Sequence, residues 1–152
     1  MYKTKAFDKD LFDTNDPRGR AKAIQILSQY VRIEENPDKY GIDLICYPLW
    51  STEKKPFYYV EVEVREAWTT THFPWNTAHI PARKEKFFSD PNLSIYYFQF
   101  NNSLTSLLIF DGKVVKKMPI YKGPTKNEKE FYYYEIPYPD GVLKQMYHLD
   151  KL

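Results

Sequence analysis

A chain of 152 residues with a formal charge of +2 fits one domain, residues 1–152, and is long enough to bury roughly two-thirds of the surface its unfolded form exposes. The charge is too small to mark a nucleic-acid binder by itself, so any basic footprint has to be local. No apolar run approaches the ~18 residues of a membrane span, the amino terminus lacks an apolar signal core, and a single cysteine, Cys46, excludes an internal disulfide.

Aromatics at 18% of residues favour a large β component. Residues 1–15 mix charge and aromatics without a clear period, as in an arm or short helix packed on the body. Asp16-Pro17 supplies an N-cap and a proline at the first helical position, and Ala21, Ile24, Leu27 and Val31 recur at helical spacing, predicting about four turns of helix. Tyr30 to Glu34 reads as a strand, Asn36-Pro37-Asp38 as a turn, Gly41 to Pro48 as a second strand, and Ser51 to Lys55 as a polar hairpin connection. Phe57 to Glu66 is the third strand. Ala67 to Pro81, with Trp68, His72, Trp75 and His79, reads as a loop, and Ala82 to Ser89 as a short basic helix. Ser94 to Phe100 and Ser106 to Phe110 are strands. Asp111-Gly112 is a tight turn before Lys113 to Met118. The tail offers a strand around Tyr132-Tyr133-Tyr134, a turn at Pro137 to Gly141 and a last short amphipathic piece. No repeat or low-complexity tract interrupts this order.

The chemistry concentrates in two of these strands. In Tyr58-Tyr59-Val60-Glu61-Val62-Glu63-Val64-Arg65 the alternation sets Glu61, Glu63 and Arg65 on one face and valines on the other. If the second and third strands form a hairpin, Asp43 and Glu61 converge. Carboxylates crowded at the edge of an apolar sheet favour a divalent cation, because unpaired buried carboxylates are costly and Mg²⁺ takes a few carboxylate oxygens plus waters. The competing assignments are a solvated strand face for the glutamates and a backbone-capping role for Asp43, with Asp38 as a second candidate for the aspartate.

The order of a helix, then Gly41-Ile42-Asp43-Leu44 in the second strand, then Glu61-Val62-Glu63 in the third, followed by a helical segment and another strand, resembles the core of the PD-(D/E)XK nuclease superfamily over roughly Asp16 to Phe110. The resemblance implies an α/β (α+β), restriction endonuclease-like αβββαβ core: a central mixed sheet flanked by helices, here with extra C-terminal strands. It implies Mg²⁺, with Mn²⁺ as substitute, held by Asp43 and Glu61. Glu63 stands where a lysine is usual, similar to the Glu-x-Glu variants among restriction enzymes. A glutamate there accepts a proton from the attacking water or helps hold metal, so positive charge has to come from elsewhere. Arg65 shares the strand face, and Arg83 or Lys84 could reach the site from the following helix. Where many relatives place an acid in the first helix, this chain has Lys22 and Gln25.

The basic run Arg83-Lys84-Glu85-Lys86 and the later Lys113, Lys116 and Lys117 are the candidates for phosphate contacts, against a solvated helix face and hairpin edge. His72, His79 and His148 lack the spacing of a zinc site; His72 and His79 read as solvated loop residues, with a general-base or phosphate-contact role as the alternative for either. Trp68 and Trp75 read as staples of the long loop rather than as base-stacking platforms, and Cys46 as a reduced core residue. Taken together, the expectation is a Mg²⁺-dependent phosphodiesterase acting on nucleic acid, DNA in preference, as an endonuclease. It would work as a homodimer or within a larger complex, away from membranes, in the cytoplasm, or the host cytoplasm for a phage or mobile-element source. The alternatives are an inactive nuclease-fold module that binds nucleic acid or a protein partner, and an interaction protein using its tyrosine-rich carboxyl-terminal strands.

Overall fold

The computed structural model describes residues 9–37, 41–50, 52, 55–123, 131–137 and 144–147, with side chains described from Pro17 to Tyr121 within these ranges and for Tyr134, Glu135 and Ile136. Helix α1 (Lys9–Leu27) leads into strands β1 (Val31–Glu35), β2 (Leu44–Pro48) and β3 (Tyr58–Arg65). Then come β4 (Thr77–Pro81), a 3-10 turn over Ala82–Lys84, and α2 (Glu85–Phe88). Strands β5 (Ile95–Asn101) and β6 (Ser106–Asp111), helix α3 (Gly112–Val115), and strands β7 (Ile120–Gly123), β8 (Phe131–Pro137) and β9 (Lys144–Tyr147) complete it. The main sheet is ordered β1-β2-β3-β5-β6-β9, and a smaller one β4-β8-β7. In the main sheet β3 and β5 run parallel while every other pair is antiparallel. A parallel pair needs a crossover, here the stretch carrying β4, the 3-10 turn and α2. This is the expected α+β class, with a mixed central sheet and extra carboxyl-terminal strands.

Each face of the main sheet has its own core. On one, Ala23, Ile26 and Leu27 of α1 pack on Leu44, Cys46, Val60, Val62, Phe98, Phe100 and Leu107. The other carries Tyr97, Leu108 and Phe110 beneath Trp68, Phe73, Ile80, Phe87, Phe88 and the smaller sheet's Tyr134 and Ile136. The valines of β3 thus face α1, and Glu61, Glu63 and Arg65 face the crossover.

Four local expectations are corrected. Helix α1 begins at Lys9, so Pro17 lies inside it rather than at its first turn. Its buried stripe is Gly19, Ala23, Ile26 and Leu27, while Ala21 is exposed. A Cβ on Gly19 would stand 2.8 Å from Val64 Cγ2 and 3.0 Å from Val62 Cγ1, so glycine lets the helix rest directly on β3 and sets its rotation. The stretch read as one loop after β3 ends in strand β4, whose partner β8 lies far along the chain. Asp111-Gly112 opens α3 instead of a hairpin: the Asp111 carboxylate accepts from the Lys113 backbone N–H at 2.9 Å, a helix cap in place of a turn. Asp38, His148 and the Ser51 and Glu53-Lys54 part of the hairpin connection lie outside the described residues.

Candidate functional site

Strand register builds the site. Leu44 pairs with Val60 across the β2–β3 ladder, so Asp43, the residue just before β2, stands opposite Glu61. Glu61 pairs with Tyr97 and Glu63 with Gln99 across the parallel β3–β5 ladder. Period-two alternation brings these side chains to the face under the crossover. There the 3-10 turn delivers Lys84, whose Nζ donates to Glu61 Oε2 at 3.0 Å. Asp43, Glu61 and Lys84 converge from three elements.

Two of these groups are nearly sealed, with Asp43 7% and Glu61 1% exposed. Burial pushes the Asp43 carboxyl up to about 8, helped by a side-chain hydrogen bond to Glu61 and by that residue's charge. The Val62 backbone N–H and the Lys84 charge oppose the rise. The Val62 N–H donates to Asp43 Oδ2 at 2.8 Å, so Asp43 does cap a backbone amide while also facing Glu61. Burial and the neighbouring Glu61 favour the protonated form of Asp43 in the metal-free chain, and Mg²⁺ needs no more than one or two carboxylates beside water and phosphate oxygens. The donor set therefore fits a hard divalent ion.

Glu63 is held apart from this pair. Its Oε2 accepts from the Tyr97 hydroxyl and from Gln99 Nε2, each at 2.8 Å, and no described hydrogen bond falls on its Oε1. Gln99 also donates to the His79 carbonyl at 3.2 Å. That use of the amide nitrogen leaves Gln99 Oε1 buried with no hydrogen-bond partner among the described residues. Likewise, among the described residues no group of three or more His, Cys, Asp and Glu side chains is gathered as a metal cluster. Asp43 and Glu61 meet; Glu63 belongs to a neighbouring network.

Tyr97 and Gln99 escaped the sequence reading, although a lone amide in the apolar run Ile95 to Phe100 was the available signal. Arg65 is committed locally, with Nη1 3.4 Å from the His79 carbonyl and the guanidinium 4.7 Å from the Trp75 ring centre. Arg83 and Lys86 are exposed on the crossover; the Arg83 charge is felt at Tyr97, and Lys86 lies 5.0 Å from the Phe87 ring centre. His72 is exposed, and its carbonyl accepts from Trp68 Nε1. His79 is a half-buried residue of β4 rather than a loop residue, its imidazole pKa lowered by burial and then by Arg65. Trp68 is the expected staple: fully buried and edge-on to Phe73, which meets Trp75 in the same way. Cys46 is a buried core thiol whose pKa burial pushes up to about 12.

Among the described residues no helix is long and apolar enough to cross a membrane. No protein-family model matches the chain, and no curated protein matches it.

Proposed function

We propose that the chain is a metal-dependent phosphodiesterase acting on nucleic acid, in preference a DNA endonuclease, built on a core similar to the PD-(D/E)XK nucleases. The observation that carries this reading is the convergence of Asp43, Glu61 and Lys84 at the β2–β3 pair, on the face crossed by the β3-to-β5 connection. A two-carboxylate, one-amine set is what hydrolysis of a phosphodiester asks for: anions to hold a cation, and a cation to face the developing charge. The lysine absent from position 63 has a functional substitute in Lys84, supplied from the crossover.

In this mechanism Asp43 and Glu61 hold Mg²⁺ or Mn²⁺, which when bound supplies polarisation of a phosphoryl oxygen and an acidified water. Lys84, held by Glu61, would keep its ammonium beside the carboxylates to face the charge developing on the scissile phosphate. Glu63, anchored through Oε2, keeps Oε1 to accept the proton of the attacking water. Tyr97 and Gln99 hold it in place.

The test is cleavage of labelled single- and double-stranded DNA and RNA with Mg²⁺ and with Mn²⁺, using Asp43→Asn and Lys84→Met proteins purified in parallel. Cleavage confined to the wild-type chain supports the reading, and equal cleavage by all three proteins removes it. A second reading, a nuclease-fold module that binds without cutting, draws on the Lys84–Glu61 ion pair, which already satisfies one acid, and on the burial that favours the neutral form of the other. Nucleic-acid binding with no metal-dependent cleavage would favour it.

A further inference from the structure

Beyond the acids, α2 and α3 enclose a shallow groove of about 180 Å³. Phe88, Leu93 and Ile95 form its floor, and Lys113, Lys116 and Lys117 its rim. At the groove α3 approaches β5 closely: a Cβ on Gly112 would lie 2.5 Å from Ile95 Cγ2 and 2.9 Å from the Ile95 carbonyl oxygen. All three lysines are exposed, and among the described residues none forms an ion pair or side-chain hydrogen bond. Among the described residues that line the groove the acid is Asp90, which caps its own turn by accepting from the Asn92 backbone N–H at 2.9 Å. An apolar floor under three cations that lack an acidic partner among the described residues calls for an anion with an apolar body.

Size narrows the ligand. Sites for whole drug-sized molecules run from about 300 Å³ upward, so a depression of this volume takes one unit of a longer chain. Packing links the groove to the strands that carry the acids. Ile95 and Tyr97 lie on the same face of β5, about 7 Å apart at the rise of a strand. The Phe88 ring on the groove floor meets Tyr97 edge-on at 6.3 Å, and the Tyr97 hydroxyl binds Glu63. Through the fully buried Tyr97 the groove floor is thus tied by packing to the network that holds Glu63.

We propose that the groove between α2 and α3 is a subsite for one nucleotide of an unpaired nucleic-acid strand, with its base on the apolar floor and the flanking phosphates on Lys113, Lys116 and Lys117. This rests on the nucleic-acid reading above and adds strandedness to it. A duplex cannot place a base on a floor this small, whereas an unstacked nucleotide can.

The experiment is fluorescence anisotropy with short labelled single-stranded DNA and the same sequence as a duplex, in EDTA over a series of salt concentrations. For the single strand, Lys113→Ala/Lys116→Ala/Lys117→Ala should weaken binding about tenfold and lower the salt slope by about two units, at roughly 0.7 per phosphate contact. The triple Lys→Arg protein should keep the wild-type slope, and Leu93→Ala should weaken single-strand binding several-fold with the slope unchanged. Unaltered affinity and slope in the triple alanine protein, a loss seen with the duplex alone, or no binding by the wild-type chain would each overturn the subsite. Cleavage separates the two ideas. A wild-type chain that cuts with Mg²⁺ but binds independently of these lysines loses the groove and keeps the nuclease. Lysine-dependent single-strand binding without cleavage keeps the groove and loses the enzyme.

Discussion

Lys84 and Glu61 are separated by 23 residues of sequence and by 3.0 Å in space. Their side chains are only 16% and 2% exposed, which makes this a largely buried ion pair and not a surface contact. Removing one partner of such a pair strands the other, at about 3 kcal/mol or more. Lys84→Met should therefore lower the urea midpoint clearly, and Lys84→Met with Glu61→Gln should recover most of the loss. A single variant as stable as wild type would show that solvent reaches Glu61 freely.

The Asp43–Glu61 contact predicts how stability depends on pH. The Asp43 pKa rises from 3.8 to about 8 on folding, so the folded chain holds a proton that the unfolded chain releases. The resulting stabilisation is complete below about pH 4 and is lost as pH climbs through about 8. Metal-free protein should thus show a falling contribution from this site between pH 5 and pH 8. Mg²⁺ or Mn²⁺ should restore stability at pH 8, where the cation replaces the proton. Asp43→Asn imitates the protonated acid, accepting from Val62 and donating to Glu61, and should flatten the profile and abolish the metal response. Thermal unfolding with and without metal measures both, and a wild-type profile in Asp43→Asn would place the titration elsewhere.

The parts of this site that could be read from sequence are those governed by local rules. Alternation of valine with Glu61, Glu63 and Arg65 fixes their face because strand side chains have a period of two, and antiparallel pairing of the successive strands β2 and β3 makes Asp43 meet Glu61. Lys84 could be named as a candidate because it follows the strand within one crossover. What stayed hidden depends on distant partners. β4 carries polar residues and ends in Pro81, and it is a strand because β8 pairs with it from more than fifty residues away. Asp111-Gly112 suits a hairpin turn and a helix cap equally well as a dipeptide, and packing of Gly112 on Ile95 decides between them. The anchoring of Glu63 required the parallel β3–β5 register, which no local pattern in β3 encodes.

Gly19 tests the contact between α1 and β3. Alanine improves helix propensity by about 1 kcal/mol, but its methyl would meet Val64 Cγ2 at 2.8 Å, and overpacking costs about 1–3 kcal/mol against stiff β-branched neighbours. Gly19→Ala should come out destabilised by about 1 kcal/mol, a fall in Tm of about 2–4 °C for a chain of this length. A rise in Tm would mean that the helix can back away from the sheet at little cost.

Glu63 separates a chemical role from a scaffolding one. Its Oε2 accepts from Tyr97 and Gln99, and a glutamine can present its carbonyl oxygen to the same two donors, so Glu63→Gln should change stability by no more than about 1 kcal/mol. The same substitution removes the proton acceptor. Under the hydrolase reading kcat should fall on the order of a hundredfold or more, with substrate binding in EDTA unchanged. Tyr97→Phe leaves the carboxylate and its Gln99 anchor in place and should give a smaller kcat loss. Glu63→Lys, which installs the residue usual at this position in the superfamily that the chain resembles, should fail to rescue activity and should destabilise the fold, because it replaces the anion to which Tyr97 and Gln99 donate and forces both groups to turn. Equal kcat in Glu63→Gln and wild type would assign Glu63 to holding β5 against β3 and leave the chemistry to Asp43, Glu61 and Lys84 alone.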